Sequence, residues 1–321
     1  MPRPPEIIRR VRICVIFNPA ARGNKARHFR RHLDEIGGRC AFKATAAPGD
    51  ARRLAAEAVI DGFDLIVAAG GDGTVNEVLN GLGDAPDGFA RARLGVLPLG
   101  TVNVFARELK IPLQLERAWQ VLQRDTETKI DLPSVEFRAN AKTERRYFAQ
   151  LAGAGLDARA IELVDWQHKQ AVGPLAYLIA GFKALSEKRP RITARSRVPN
   201  QPAPGLPPRP HDAAAIAGEL ILIGNGRYYG GPFAIFPSAD LRDGALEVCV
   251  VPRVNWPVLL RCAPGFALRR RIPENLVRRF RASEFELTGD TSASFELDGE
   301  WAGKLPAVFS VERARLRVAV A

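Results

Sequence analysis

The chain predicts an α/β fold joined to a β fold: a doubly wound parallel sheet with helices on both faces, then an antiparallel β-sandwich. Three observations carry this. Over residues 1–130 short apolar runs alternate with amphipathic stretches of helical spacing. In their midst a buried run, residues 64–69, enters Gly70-Gly71-Asp72-Gly73-Thr74, and a helix follows with Val75, Val78, Leu79 and Leu82 on one face. Beyond residue 129 the pattern changes to short β-rich runs divided by turn signals.

Taken in order, residues 11–17 read as a strand, 24–36 as a helix, 39–45 as a strand and 50–60 as a helix. Residues 65–69 and 94–97 add strands, and a further helix falls near 115–123. The later strands are read at 130–137, 147–151, 216–223, 246–251, 284–288, 292–297, 308–311 and 316–320. A helical insertion over 158–188, broken near Gly173-Pro174, and a loop over 198–212 with six prolines interrupt them. The expected domains are residues 1–130, to which 304–321 returns, and 131–303.

A chain of 321 residues suits two domains. No window nears the roughly 18 unbroken apolar residues of a membrane span, and the first residues lack the apolar core of a secretory signal. Cys14, Cys40, Cys249 and Cys262 have no metal-type spacing, and Cys14 and Cys249 lie in expected strands, so buried free thiols and a cytoplasmic setting are expected. The four histidines lack ligand spacing as well. The net charge of +12 suits an anionic partner. Arg261, Arg269, Arg270, Arg271, Arg278, Arg279 and Arg281 crowd one stretch with Trp256, Phe266 and Phe280, as in a membrane-surface patch; an arginine-rich composition explains it equally well.

The chemistry gathers at the glycine turns. Glycines at a helix N-terminus let main-chain N–H groups approach phosphate closely. Asp72 in their middle would repel phosphate unless a cation stood between, which a nucleotide with Mg²⁺ supplies. A second strand-to-helix turn, Leu97-Pro98-Leu99-Gly100-Thr101-Val102-Asn103, follows one βα unit later, with Thr101 placed to cap a helix or bond a ligand. Together with the Asn18-Pro19 turn and the loop Thr45…Gly49-Asp50, these lie at the carboxyl ends of the strands, where such sheets bind ligands.

These elements, in this order, resemble the diacylglycerol kinase catalytic family of bacterial lipid kinases, which includes sphingosine and ceramide kinases. The likeness continues through Phe148-Ala149-Gln150-Leu151-Ala152-Gly153-Ala154-Gly155-Leu156-Asp157, Gly224-Asn225-Gly226-Arg227-Tyr228-Tyr229-Gly230-Gly231, Asp243-Gly244 and Asp298-Gly299-Glu300. The Gly-Gly-Asp-Gly-Thr element alone is shared with NAD kinases and is similar to that of phosphofructokinases, so the resemblance implies an N-terminal domain of that kind. It further implies ATP contacts at Asn18, Pro19, Ala20, Ala21, Arg22, Thr45, Gly70, Gly71, Asp72, Gly73, Thr74, Val75, Asn76 and Thr101. Glu300 matches the family's general base, which takes the proton of a lipid hydroxyl; a plain Asp-Gly surface turn is the alternative. A structural Mg²⁺ matches at Asp243 with the main-chain oxygens of Asp240 and Ala245, and Asp72 and Asp131 are the acidic candidates for catalytic Mg²⁺. Val104 stands where many members carry Asp. Asp157 either bonds the acceptor headgroup or caps a helix.

The expected activity is ATP- and Mg²⁺-dependent transfer of a γ-phosphate to a diacylglycerol-like, ceramide or sphingoid hydroxyl. The expected protein is cytoplasmic and peripherally membrane-associated, binds an anionic membrane surface rather than nucleic acid, and is free to form a homodimer. The rival readings are a soluble NAD kinase and a non-catalytic lipid or nucleic-acid binder on the same fold.

Overall fold

The computed structural model describes residues 11–19, 40–163, 190–197, 215–264, 272–290 and 293–321. The chain divides into two compact units, one of residues 1–101, 111–128 and 317–321, the other of residues 102–110 and 129–316.

The first unit is a parallel sheet. Strands β1 (Ile13–Phe17), β2 (Ala41–Ala44), β3 (Leu65–Gly70) and β4 (Arg93–Pro98) run in the order β2-β1-β3-β4. Val318, near the chain's end, pairs parallel with Leu94 beyond β4. Every residue of β3 and β4 is buried, as expected of strands covered on both faces. Helices α1 (Asp50–Ile60), α2 (Asp72–Asp84) and α3 (Gly88–Arg91) follow in sequence. After α4 (Val104–Glu108), which belongs to the second unit, α5 (Leu115–Gln123) completes the first. Leu54, Ala55 and Val59 of α1 and Val78, Leu79 and Leu82 of α2 are the buried apolar faces of these helices.

The second unit is antiparallel. Strands β5 (Glu127–Ala139) and β6 (Lys142–Tyr147) form a hairpin. After β7 (Leu151–Gly155) and α6 (Leu156–Leu163) come β8 (Ile192–Ser196), β9 (Ile216–Gly218) and β10 (Leu220–Gly224). The short ribbon β11 (Tyr228–Tyr229) with β12 (Phe233–Ala234) leads to β13 (Leu246–Val251) and α7 (Trp256–Pro264). The chain then passes through β14 (Arg278–Ala282), β15 (Glu284–Gly289), β16 (Ser294–Leu297), β17 (Glu300–Lys304) and β18 (Ala307–Ala319). Six strands make one sheet in the order β14-β13-β10-β7-β16-β17, while β15 pairs with β8 on one side and with residues 307–310 of β18 on the other. Both sets feed one core containing Ile221, Val248, Phe285 and Phe309. At its centre the Phe285 and Phe309 rings stack at 5.3 Å, with Phe295 and Phe148 edge-on to Phe309 at 5.8 and 6.2 Å.

The sequence expectations meet this structure with instructive differences. The expected strand over 147–151 is instead the junction between β6 and β7, because residues 148–150 leave the ladder. The expected strand over 216–223 is broken at Glu219, whose main-chain N–H donates to the carbonyl of Val251 at 3.1 Å. The basic stretch is divided. Arg279 and Arg281 are turned inward, Arg279 onto Glu247 at 2.9 Å and Arg281 onto Asp243, whereas Arg261 and Arg278 are exposed. Alternation along β14 sends those two guanidiniums to the covered face. The expected helix 24–36, most of the insertion 158–188, the loop 198–212 and Arg269–Arg271 lie outside the described residues. The four cysteines are free; burial pushes the thiols of Cys14 and Cys249 up to about 11 and about 12. Among the described residues no helix is long and apolar enough to cross a membrane.

Replacing Phe309 by Ala removes a wholly buried ring with three aromatic neighbours and should cost about 3–5 kcal/mol of stability in urea unfolding.

Candidate functional site

Strand order decides where the first unit offers a cleft. The chain goes from β1 outward to β2 on one side, then returns to place β3 on the other, so the order reverses between β1 and β3. Ligands of open α/β sheets settle outside the carboxyl ends of the strands at such a reversal. Here those ends are Asn18, just after β1, and Gly70-Gly71, where β3 ends.

The Gly70–Thr74 turn is tightly wound. A Cβ on Gly70 would stand 2.2 Å from Thr74 Oγ1, so the Thr74 side chain folds back over the space the glycine leaves. Asn18 Nδ2 donates to the same hydroxyl at 3.4 Å, and its main-chain N–H donates to the Ala69 carbonyl at 3.1 Å. The carbonyl of Gly70 accepts from the N–H groups of Leu99 and Gly100, at 2.9 and 3.2 Å. The two glycine turns read from the sequence therefore lie against each other. Helix α2 opens at Asp72 with Gly71, which has no side chain to cap it, at the N-cap. Its first helical bond runs from the Val75 N–H to the Gly71 carbonyl at 3.1 Å, so the N–H groups before Val75 lie ahead of the intrahelical ladder. That is the arrangement an anion exploits.

The loop after β2 is tied to α2 by Glu77. Its carboxylate accepts the main-chain N–H groups of Gly49 and Ala51, both at 2.9 Å, closing the start of α1. Asp50 accepts in turn from Ala46 and Ala47, and these bonds hold its carboxyl below the usual carboxylate range. Thr45 is fixed through its N–H to the Phe17 carbonyl at 2.9 Å. The expected nucleotide residues thus lie at the carboxyl ends of β1 to β4: Asn18, Pro19, Thr45 and Thr101 on loops, Gly70 as the last residue of β3, Gly71 between strand and helix, and Asp72, Gly73 and Thr74 as the first residues of α2. Val75 and Asn76 are buried within α2, and the Asn76 amide oxygen accepts from Asn80 Nδ2 at 3.2 Å. Ala20, Ala21 and Arg22 lie outside the described residues.

In the second unit Asp298 and Gly299, both at positive φ, turn the hairpin between β16 and β17. Its first residue after the turn is Glu300. Asp298 is no idle turn residue: its carboxylate accepts three consecutive N–H groups, Ala149 at 2.7, Gln150 at 2.9 and Leu151 at 3.1 Å. Glu296, wholly buried, accepts the N–H of Gly299 at 2.6 Å. Nothing in the sequence assigns roles to Glu77, Asp298 or Glu296. Their partners are tens to more than a hundred residues distant, except for the Gly299 N–H, so only the Asp-Gly turn itself was a signal.

Asp131 is grouped with the turn of residues 240–245. Its carboxylate accepts from Gly244 at 2.6 Å and from Ala314 at 2.8 Å. Asp240 accepts from Arg242, and Asp243 from Ala245 and from the guanidinium of Arg281. Burial pushes the carboxyls of Asp131 and Asp243 up, and the charge of Asp240 adds to both. Among the described residues no three His, Cys, Asp or Glu side chains are arranged to hold a metal. Asp157 is the second residue of α6.

Two outcomes check this account. Gly70→Ala should cost about 1–3 kcal/mol in urea unfolding, because Thr74 is forced out of its place. Carboxyls raised on folding favour the folded state most at acid pH, and that contribution is lost as pH climbs through their raised values; Asp240→Asn should therefore lessen the fall in Tm as pH rises above the ordinary carboxylate range.

Residues 12–135 match the family described as diacylglycerol kinase catalytic domain, and residues 150–320 match the YegS C-terminal NAD kinase beta sandwich-like domain. A diacylglycerol kinase of Staphylococcus haemolyticus is 31% identical over 304 residues, covering 92% of this chain and 84% of that protein. One from Staphylococcus aureus strain MRSA252 is 31% identical over 309 residues, covering 94% and 89%. Among solved structures, a putative diacylglycerol kinase from Bacillus anthracis str. Sterne superposes with a TM-score of 0.74 at 20% identity, over 97% of this chain and 95% of that one. A yeast NADH kinase complexed with NADH shares the fold more distantly, with a TM-score of 0.52 at 8% identity over 97% and 84%. The matched segments contain both glycine turns and the Asp298–Glu300 hairpin, and the chain belongs to the diacylglycerol kinase family.

Proposed function

We propose that this chain transfers the γ-phosphate of ATP, with Mg²⁺, to the hydroxyl of a lipid. The observation that carries the reading is the Gly70–Thr74 turn at the β1/β3 reversal, backed by Gly100 and forming the N-terminus of α2. In this reading the turn receives the phosphates, and Asn18, Pro19, Thr45 and Thr101 border the nucleotide. Asn76 serves from inside α2 by holding the first turns of the helix, through Asn80, rather than by direct contact.

Glu300 is the proposed base. It takes the hydroxyl proton as the lipid oxygen bonds to the γ-phosphorus; the bond from that phosphorus to the β–γ bridging oxygen breaks, and ADP leaves. Asp298 fixes where Glu300 begins by gripping residues 149–151. Asp157, at the start of α6, is the proposed headgroup contact.

For a structural Mg²⁺ the proposed donors are the Asp243 carboxylate and the main-chain oxygens of Asp240 and Ala245. Such hard oxygen donors suit that ion, and two carboxyls already pushed up by burial mark a place where added positive charge is favourable. Asp72 and Asp131 are the acidic candidates for the ion on the nucleotide. When bound there, Mg²⁺ disperses negative charge over the transferring phosphoryl group. Docking on an anionic membrane surface is supported by the net charge of +12 and by the exposed Arg261 and Arg278.

NAD kinase activity is the second reading, favoured by the fold shared with the yeast enzyme. Labelled ATP offered with diacylglycerol, phosphatidylglycerol, ceramide, a sphingoid base or NAD separates the two; label on NAD alone ends the lipid reading. Glu300→Gln should lower kcat at least about 100-fold with ATP binding nearly unchanged. Mg²⁺ should raise Tm in the wild type but far less in Asp243→Ala, read by thermal denaturation without substrate.

A further inference from the structure

The turn at residues 224–228 is folded around a carboxylate that comes from elsewhere in the second unit. Glu108, the last residue of α4, accepts three hydrogen bonds on its Oε2: from Arg227 N–H at 2.8 Å, Gln150 Nε2 at 3.0 Å and Tyr228 N–H at 3.1 Å. Gly226 is what makes room. A Cβ there would stand 2.7 Å from Glu108 Cδ and 2.6 and 2.7 Å from the Gln150 amide nitrogen and oxygen.

Gln150 is 2% exposed, and both partners of its amide nitrogen are acceptors, the second being the Tyr228 carbonyl at 3.1 Å. That fixes the amide's orientation, since the flipped form would press its oxygen against the Glu108 carboxylate. The main chain of Gln150 is equally committed. Its N–H donates to Asp298 at 2.9 Å, and its carbonyl accepts from Asn225 N–H at 2.9 Å. A continuous path of short bonds therefore runs from Glu108 through Gln150 to Asp298, two residues before Glu300.

We infer that Glu108 and Gln150 are positioning residues for phosphoryl transfer: together they lock the 224–228 turn and the 149–151 segment so that the Asp298–Glu300 hairpin holds the base in one place. The inference rests on Glu300 being that base. Without Glu108, two main-chain N–H groups and the Gln150 amide lose their common acceptor at once. The turn then relaxes, Gln150 is no longer drawn toward it, and the segment gripped by Asp298 shifts. Sub-ångström placement of a reacting group is what transfer rates depend on.

The test uses the full chain, ATP-Mg²⁺ and the lipid that the wild type phosphorylates, with rates scaled to the folded fraction. Glu108→Ala and Gln150→Leu should each lower kcat about 10- to 100-fold, while KM for ATP stays within about twofold. The double variant should be little worse than the worse single one, because both break the same path. Glu108→Gln, which keeps an acceptor oxygen in the same place, should recover most of the rate; this pair of outcomes, with Gln150→Leu, decides the matter even where Glu108→Ala does not fold. Unchanged kcat in folded Gln150→Leu, a loss in Glu108→Gln as deep as in Glu108→Ala or Gln150→Leu, or losses that multiply in the double variant overturn the inference alone. A wild type that phosphorylates no lipid overturns the lipid-kinase reading and this inference with it.

Discussion

Much of the first unit follows from one missing atom. Because Gly70 has no Cβ, the Thr74 side chain closes over it, Asn18 reaches the Thr74 hydroxyl, and the Gly70 carbonyl is left to take two N–H groups from the second glycine turn. The loops after three adjacent parallel strands are thereby fixed to one another at the place where the strand order reverses. A side chain at that position would separate them, and with them the cradle of amides that an anion needs.

A second theme is the use of carboxylates as acceptors for main-chain N–H groups in turns. Glu77 closes the start of α1, Asp298 grips residues 149–151, Glu108 gathers Arg227 and Tyr228, and Asp131 receives Gly244 and Ala314. Turns leave N–H groups that no ladder satisfies, and a carboxylate with several lone pairs satisfies two or three together. Charge-assisted bonds of this sort are stronger than neutral ones. In a chain so rich in arginine, many acidic side chains are thus spent on the backbone rather than on guanidiniums.

The sequence made the parallel sheet legible because its strands are unbroken apolar runs, and it made the phosphate turn legible because glycine spacing and a following helix coincide there. The strands of the second unit were harder. Glu219 breaks what reads as one run into two, and residues 148–150 leave the ladder to be held by Asp298, which no local pattern announces. The basic run misled in part: alternation along β14 turns Arg279 and Arg281 toward Glu247 and Asp243, so composition there records buried ion pairs as much as surface charge. Glu108 was invisible as anything but a helix-end residue, since its three donors lie 42, 119 and 120 residues along the chain.

The first unit is sewn from separated pieces. Val318 lies beside Leu94, and Thr126 bonds the carbonyl of Val320 across 194 residues. During synthesis on the ribosome, then, this sheet must wait with an open flank until nearly all the intervening chain has emerged, and until that moment the flank beside β4 is a template on which a neighbouring nascent strand can add.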